Sequence, residues 1–71
     1  MFNYKMYAVS YGESGMKTIG SFTTMSAALA QVKSMGIRLD AVPISLLENG
    51  IEIFPSGQET IQIRKEMVLA A

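Results

Sequence analysis

The sequence predicts a small single domain of the α+β class, residues 1–71, in which an antiparallel sheet carries one helix on one face. Three observations lead to this prediction. Strand-forming segments with alternating polarity occupy both ends of the chain, and an alanine-rich segment with helical spacing lies between them. The dipeptide Asn49-Gly50 stands between two alternating segments, which is the strongest short-range signal for a β-hairpin. The predicted order of elements is therefore ββαβββ.

The first predicted hairpin joins strands at residues 4–11 and 16–22 through a Gly-Glu-Ser-Gly segment of tight-turn composition. A register that sets Tyr7 opposite Gly20 matches a large ring with a strand glycine. One face of this hairpin then carries Lys5, Tyr7, Val9, Tyr11, Met16 and Phe22. The opposite face carries Tyr4, Met6, Ala8, Ser10, Lys17 and Ile19.

The segment from Thr24 to Gly36 predicts the helix. Thr24 suits the N-cap position, and the three alanines of the following turns are strong helix formers. Gly36 stands where a left-handed C-cap residue belongs. The apolar stripe predicted to face the sheet consists of Met25, Ala28, Leu29, Val32 and Met35.

The second predicted hairpin spans residues 42–55 and turns at Asn49-Gly50. A two-residue turn at this point pairs Leu46 with Ile53. The face predicted to lie beneath the helix carries Val42, Ile44, Leu46, Ile51 and Ile53. The other face carries Pro43, Ser45, Leu47, Glu52 and Phe54. Pro43 has no N–H group, so its strand begins there or lies at a sheet edge.

Residues 56–71 are compatible with two interpretations. Ser56 and Glu59 form a capping-box pattern that favours a helix, which would change the order of elements to ββαββα. The alternation over residues 60–64 favours a strand, and two basic residues interrupt any helical apolar stripe. We favour the strand.

The loop before this strand decides which side chains the strand contributes to the core. A loop of three residues at 56–58 sets Ile61 opposite Ile53 and Ile63 opposite Ile51. A loop of two residues would turn the same isoleucines to the opposite face. We therefore expect the longer loop, with Ile61 and Ile63 beneath the helix.

Composition limits the chemistry that this chain can perform. Its 71 residues include no cysteine and no histidine, which removes disulfides, thiolate nucleophiles and the commonest general base. The six basic and six acidic residues give zero net charge, so no overall attraction to nucleic acid or to anionic membranes is expected. No segment approaches the roughly 20 apolar residues of a membrane span. We expect a cytoplasmic protein that is not an enzyme, contacts no membrane and uses neither a cofactor nor a metal.

Residues 12–18, Gly-Glu-Ser-Gly-Met-Lys-Thr, partly match the pattern of a phosphate-binding loop. The pattern is one residue short, and Met16 replaces the glycine that should precede the lysine. A strand is predicted to follow, so no helix N-terminus would meet a phosphate. The glycine spacing also matches a loop that joins helices in some RNA-binding domains, whereas here it joins strands. We therefore interpret the segment as a hairpin turn.

Tyrosine and lysine side chains on the first hairpin suggest an alternative function. Tyr7 and Tyr11 share a predicted face with Lys5, and Lys17 lies nearby. Stacking rings beside basic groups on a sheet hold single-stranded nucleic acid or nucleotides in many small domains. The competing interpretation is that this face packs under the helix, with the hydroxyl groups at its rim. Because few basic residues serve this half of the chain, nucleic acid is not our first expectation.

Apolar residues on both faces of both hairpins suggest a different function. One helix covers only one face of a sheet, so a chain this small would leave an apolar surface exposed. The residues predicted to form that surface are Tyr4, Met6, Ile19, Leu47 and Phe54. We therefore predict a non-catalytic protein-binding module, an inhibitor or adaptor such as the small phage proteins that block host defence complexes. The expected partner is a protein of unknown identity, and we also expect a homodimer.

Overall fold

The computed structural model of the protein describes residues 2–10, 15–55 and 59–68. These ranges contain five strands and one helix in the order predicted from the sequence, ββαβββ. The bounds are β1 Phe2–Ser10, β2 Met16–Phe22, α1 Met25–Ser34, β3 Ile44–Leu47, β4 Gly50–Ile53 and β5 Glu59–Met67. The alternative order ββαββα is wrong, because the C-terminal segment forms β5 and not a helix.

The strands form an antiparallel sheet in the order β2-β1-β5-β4-β3. The last strand in the sequence, β5, lies between β1 and β4 and so joins the two hairpins. β1 and β5 have nine residues each and pair along their whole length, from Phe2 with Met67 to Ser10 with Glu59. The complete sheet therefore forms only when β1 and β5, which are far apart in the sequence, pair with each other.

The helix α1 has the caps that the sequence predicts. The Thr24 hydroxyl accepts a hydrogen bond of 3.1 Å from the Ala27 N–H group, and the backbone of Thr24 is extended. Gly36, beyond the last turn, has a φ angle of +86°, the left-handed conformation expected near a helix C-terminus. Ala28 and Val32 are fully buried, and α1 packs over β1 and β2. The helix therefore lies toward the β2 edge of the sheet.

The core lies on the face of the sheet toward α1, which we call the helix-side face, and is covered by α1 together with apolar residues of the segment that joins α1 to β3. Its fully buried apolar residues are Met6, Ala28, Val32, Ile53, Ile61 and Ile63. Partly buried residues that pack against them are Tyr4, Ile19, Phe22, Met25, Leu29, Ile37, Leu39, Val42 and Ile51. Each large aliphatic side chain buried here contributes about 1.5–3 kcal/mol by leaving water. The core positions predicted for Ile53, Ile61 and Ile63 are confirmed.

The first hairpin has a register that differs from the predicted one. Tyr7 pairs with Thr18 and Met6 pairs with Gly20, whereas the predicted register sets Tyr7 opposite Gly20. The register shifts between Met6 and Tyr7, where Ile19 is an extra residue on β2, as in a β-bulge.

This shift turns Phe22 to the helix-side face. Phe22 pairs with Tyr4 and packs against the core, although the predicted register sets it on the face of Tyr7. A Cβ atom at Gly20 would lie 3.4 Å from the Phe22 ring, so this ring is the one that covers the strand glycine. One extra residue suffices for the exchange, because successive strand residues point to opposite faces. The predicted turn residues 12–14 lie outside the described residues.

The second hairpin turns one residue earlier than the sequence predicts. Leu47 pairs with Gly50, so Glu48 and Asn49 form the turn in place of Asn49-Gly50. Close packing requires the glycine, because a Cβ atom on Gly50 would collide with the Ile63 carbonyl oxygen of β5. The strand faces stay as predicted, because the change moves each pairing by two residues.

The pairing of β4 with β5 is the predicted one. Ile51 lies opposite Ile63, and Ile53 lies opposite Ile61. This pairing confirms the strand interpretation of the C-terminal segment. The loop expected at residues 56–58 lies outside the described residues.

Three residues predicted to be buried are exposed. Ile44 and Leu46 share the sheet face of Ile53, but their exposed fractions are 44% and 87%. The prediction is right for the face and wrong for burial, because α1 packs on β1 and β2, toward the opposite edge of the sheet, and the covered area ends at β4, where Ile53 has no exposed surface. Met35, predicted on the buried stripe of the helix, is also exposed.

Candidate functional site

The sheet face away from α1, which we call the open face, is polar. It carries Lys5, Tyr7, Glu52, Thr60, Gln62, Arg64 and Glu66, which come from β1, β4 and β5. These side chains form two connected groups of polar contacts. Within the described part of the chain, no buried side-chain nitrogen or oxygen atom lacks a hydrogen-bond partner. The apolar open face that the sequence analysis predicts is therefore absent from β1, β4 and β5.

The first polar group is centred on Glu66. The Tyr7 hydroxyl donates a hydrogen bond of 2.6 Å to Glu66 Oε2, and Lys5 Nζ lies 3.9 Å from Glu66 Oε1. The hydrogen bond to Glu66 is the main cause that raises the pKa of Tyr7 above its usual value, and burial adds to it. Tyr7 therefore stays protonated at neutral pH and acts as a hydrogen-bond donor.

The second polar group is centred on Glu52. Its Oε2 atom accepts hydrogen bonds of 2.7 Å from Thr60 Oγ1 and 3.2 Å from Gln62 Nε2. Gln62 Oε1 accepts a bond of 2.9 Å from Arg64 Nε, and the Arg64 guanidinium lies 5.8 Å from the centre of the Tyr7 ring. These contacts link β4 to β5 and the second group to the first. Both carboxylates are thus engaged in contacts that support the sheet.

Three of the predicted interface residues lie on the covered face. Met6 has no exposed surface, and Tyr4 and Ile19 pack against the core. The prediction that these three residues lie on an uncovered face is wrong. Met6 pairs with Ile63 on the side where α1 packs, so the even-numbered residues of β1 point toward the core.

Leu47 and Phe54, the other two predicted interface residues, are half-buried. Leu47 lies on the open face opposite Gly50, as predicted. Phe54 follows β4, and its N–H group donates a bond of 2.9 Å to the Pro43 carbonyl. More exposed apolar side chains occur on β3 and at strand ends.

The four residues predicted for nucleic-acid binding are only partly brought together. Lys5 and Tyr7 lie two positions apart on the open face, where both contact Glu66. Lys17 lies on the helix-side face of β2. Tyr11 lies outside the described residues.

An exposed apolar surface occurs on the helix-side face of β3. Ile44 and Leu46 project from this edge strand beyond the reach of α1. Other exposed large apolar side chains are Phe2, Met16, Met35, Met67 and Val68. Phe2 pairs with Met67 at one end of the sheet, where Lys65 Nζ lies 4.6 Å from the centre of the Phe2 ring. That end therefore carries a cation, whereas β3 carries no charged residue.

The backbone of β3 is also available at this edge. The bond from the Phe54 N–H group to the Pro43 carbonyl shows which residues of β3 direct their backbone groups toward β4. In an antiparallel pair, residues that bond the partner strand alternate with residues that point away from it. The N–H and C=O groups of Ser45 therefore point toward β4, and those of Ile44 and Leu46 point outward. Among the described strands, none pairs with this side of β3.

We define the β3 edge as the side chains and outward backbone groups of Ile44 and Leu46. Edge strands are usually protected by a lysine, a proline or a bulge, whereas Ile44–Leu47 reads Ile-Ser-Leu-Leu. Pro43 does not block this edge, because its carbonyl faces β4 and the N–H group that it lacks would face β4 too. The strand length of four residues is what limits pairing. The β3 edge is therefore the candidate functional site.

Ile44 and Leu46, which the sequence pattern predicts to be core residues, are therefore site residues that the sequence did not indicate. Two signals could have found them. Pro43 marked an edge strand, and a helix about 10 Å wide is too narrow to cover all five strands of a sheet whose strands are spaced about 4.8 Å apart. Together these signals indicate that the outermost strand of the second hairpin stays uncovered.

A concavity of about 550 Å³ lies in the connection between α1 and β3. Its lining residues are Lys33, Gly36, Ile37, Arg38, Leu39 and Asp40. Arg38 Nη2 lies 3.5 Å from Asp40 Oδ2, and both side chains are largely in water, so this ion pair is solvated. Across residues 2–10, 15–55 and 59–68, no cluster of acidic or other ligating side chains could hold a metal ion. In the same ranges, no helix has the length and apolar character needed to cross a membrane.

Comparisons with protein families, with curated proteins and with solved structures find no match for this chain. The β3 edge offers both apolar side chains and backbone hydrogen-bonding groups, which the polar open face does not.

Proposed function

We propose that this chain is a non-catalytic protein-binding module that accepts an extended segment of a partner on the β3 edge. The observation that carries the proposal is the exposure of Leu46, a residue that is 87% exposed and whose backbone N–H and C=O groups point away from β4. An added strand would satisfy those groups and remove Leu46 from water at the same time. Burial of such a side chain contributes about 1.5–3 kcal/mol, and each backbone hydrogen bond adds about 0.5–1.5 kcal/mol.

The β3 edge specifies the chemistry of the segment that fits it. An added strand sets its alternate side chains beside Ile44 and Leu46, so apolar residues two positions apart are favoured. Because Ile44–Leu47 carries no charge, a charged residue directly opposite would lose solvation without gaining a partner. The segment is therefore short, uncharged and apolar at alternate positions.

A module of this kind acts by occupying or bridging surfaces, so we propose the role of an inhibitor or adaptor. Small phage proteins that block host defence complexes act in this way, and we place the chain in that class and in the cytoplasm. The small size of the chain and its lack of cysteine and histidine support a role that needs no reaction chemistry.

Selection from a displayed library of random peptides tests the proposal. We expect the selected peptides to carry apolar residues two positions apart. Leu46→Lys should weaken their binding at least about tenfold, or about 1.4 kcal/mol, because the lysine would be buried without a partner. Met67→Lys is the matched control, because Met67 is also exposed on the helix-side face but lies at another end of the sheet. This control should change binding by less than about twofold.

Amide hydrogen exchange locates the bound peptide on the protein. We expect binding to slow exchange at Ile44 and Leu46 and to leave Ser45 unchanged, because the Ser45 N–H group is bonded to β4. The proposal is contradicted if peptides bind the Leu46→Lys variant as tightly as the original chain. It is also contradicted if they protect amides elsewhere and not those of the β3 edge.

A second candidate function, single-stranded nucleic-acid or nucleotide binding, is favoured by one arrangement on the open face. Lys5 lies opposite Arg64, and the Arg64 guanidinium lies over the Tyr7 ring. Glu52 and Glu66 on the same face balance these charges and would repel a phosphate backbone. Fluorescence anisotropy with single-stranded DNA and RNA measures this binding. Tight, salt-sensitive binding that is lost in Tyr7→Ala would favour the second function, and we expect no such binding.

A further inference from the structure

We infer that the occupant of the β3 edge is a second copy of this chain, paired antiparallel through β3 about a two-fold axis. The inference rests on the proposed protein-binding function of that edge and names its partner. The two five-stranded sheets would join into one continuous sheet with the two β3 strands at its centre. A two-fold axis requires that the β3 edge be complementary to the same edge of the second copy.

One register uses all the outward backbone groups of β3. When the two copies of Ser45 meet at the axis, Ile44 of each copy lies opposite Leu46 of the other. These are the residues whose N–H and C=O groups point away from β4, so each such pair exchanges two backbone hydrogen bonds. Pro43 makes no backbone hydrogen bond to the other copy, because its carbonyl already accepts a bond from the Phe54 N–H group.

Side chains on both faces match in this register. On the helix-side face, Ile44 and Leu46 of the two copies form a cluster of four aliphatic side chains. These are the residues with exposed fractions of 44% and 87% in the single chain. On the open face, Ser45 meets Ser45 and Leu47 meets Pro43. Every contact therefore joins an apolar group to an apolar group or a hydroxyl to a hydroxyl.

Charge does not oppose this pairing. Ile44–Leu47 carries no charged residue. The neighbouring acids are Glu52, which lies opposite Ser45 on β4, and Glu48 in the turn that follows β3. In the antiparallel register Glu48 of one copy lies opposite Val42 of the other, so the two copies of Glu48 are about 20 Å apart. The two copies of Glu52 are separated by three strand spacings, or about 14 Å. Both separations exceed the range of about 8–10 Å over which charges interact at physiological salt.

The length of the edge determines the strength of the pairing. A strand of four residues gives an interface below about 1,200 Å², which is the size of transient contacts. We expect a monomer–dimer equilibrium with a dissociation constant on the order of 10–100 µM. A foreign strand with the same alternation would compete for the same edge.

Sedimentation velocity between about 5 and 500 µM tests for the second copy. We expect the average mass to rise from that of one chain toward that of two. Leu46→Lys should raise the dissociation constant at least about tenfold, because two lysines would face the aliphatic cluster. Met67→Lys should associate as the original chain does. Circular dichroism of both variants verifies that they fold.

An engineered cysteine tests the register directly, because the chain contains no other cysteine. Ser45→Cys places two thiols at the axis in a non-hydrogen-bonded pair, whose Cα atoms lie about 4.5 Å apart and within disulfide range. Ser21→Cys is the matched control, because Ser21 is an exposed serine on the open face of the other edge strand, β2. Under mild oxidation we expect Ser45→Cys to form a covalent dimer at least about tenfold faster than the control.

Two results would overturn the inference. The first is a single-chain mass at every concentration together with equal oxidation of the two cysteine variants. The second is an association that Leu46→Lys leaves unchanged, because the interface would then lie elsewhere. If library peptides still bind at Leu46 while the chain stays monomeric, the occupant is a foreign strand and the protein-binding function stands. If neither peptides nor a second copy bind there, both proposals fail.

Discussion

Gly50 shows, at the scale of single residues, how contact between two backbones sets a register. A Cβ atom on Gly50 would overlap the Ile63 carbonyl oxygen and lie 2.9 Å from the carbonyl carbon, and neither atom can rotate away. The φ angle of Gly50 is not the reason for glycine, because positive φ angles among the described residues occur only at Gly15 and Gly36. The close approach of β5 is therefore what requires a glycine after the turn.

Gly50→Ala should lower the free energy of unfolding by about 1–3 kcal/mol, as overpacking usually does. Gly20→Ala is the control, because a Cβ atom there would meet only the Phe22 ring at 3.4 Å, and that ring can shift. Urea unfolding measures both variants. Equal losses in the two would show that the contact of Gly50 with β5 does not constrain the sheet.

Tyr7 makes stability depend on alkaline pH. The hydrogen bond to Glu66 raises the pKa of Tyr7 above the value of 10.0 expected for an unfolded chain. The folded chain then holds this proton more tightly, so the contribution to stability is complete below pH 10 and is lost as pH rises through the folded pKa. We expect the free energy of unfolding to fall as the pH rises above 10. Tyr7→Phe should remove the part of this decrease that comes from ionisation of Tyr7. A Tyr7→Phe variant with the same alkaline profile would refute the assignment.

At the scale of elements, the features of helices and strands that depend on residues close in sequence were predictable. Thr24 and Gly36 cap α1 through groups that are close in sequence, and alternation identified β5. The turn at Glu48-Asn49 was not predictable, because Gly50 is positioned by a contact with β5. The β-bulge at Ile19 was also not predictable. A bulge adds one residue to a strand, and the residues on either side of it keep their alternation of polar and apolar types.

Ile53→Glu and Leu46→Glu compare two positions on the helix-side face of the second hairpin. Ile53 has no exposed surface, so Ile53→Glu buries an unpaired charge and should cost several kcal/mol, enough to unfold a small domain. Leu46 projects into water, so Leu46→Glu should change stability by only about 0.5 kcal/mol. Thermal unfolding followed by circular dichroism measures both. If Leu46→Glu unfolds the chain, β3 is covered and the β3 edge is not available to a partner.

At the scale of the whole molecule, the order of strands decides which surfaces are exposed. β5 takes the central position, so β3 lies at the edge and beyond α1. The sequence did not reveal this order, because β1 and β5 come from opposite ends of the chain and their alternation is compatible with several neighbours. The apolar surface predicted from the sequence therefore exists, but on the helix-side face of β3, whereas Glu52 and Glu66 carry polar contacts on the open face.

Amide hydrogen exchange over a series of protein concentrations tests most directly the central claim that the β3 edge accepts a strand. At low concentration we expect fast exchange at Ile44 and Leu46, whose N–H groups point outward, and slow exchange at Ser45. Toward 1 mM, exchange at Ile44 and Leu46 should slow at least about fivefold as the edge becomes occupied, while Ser45 stays constant. Fast exchange at Leu46 at every concentration, and also in the presence of selected peptides, would contradict the claim.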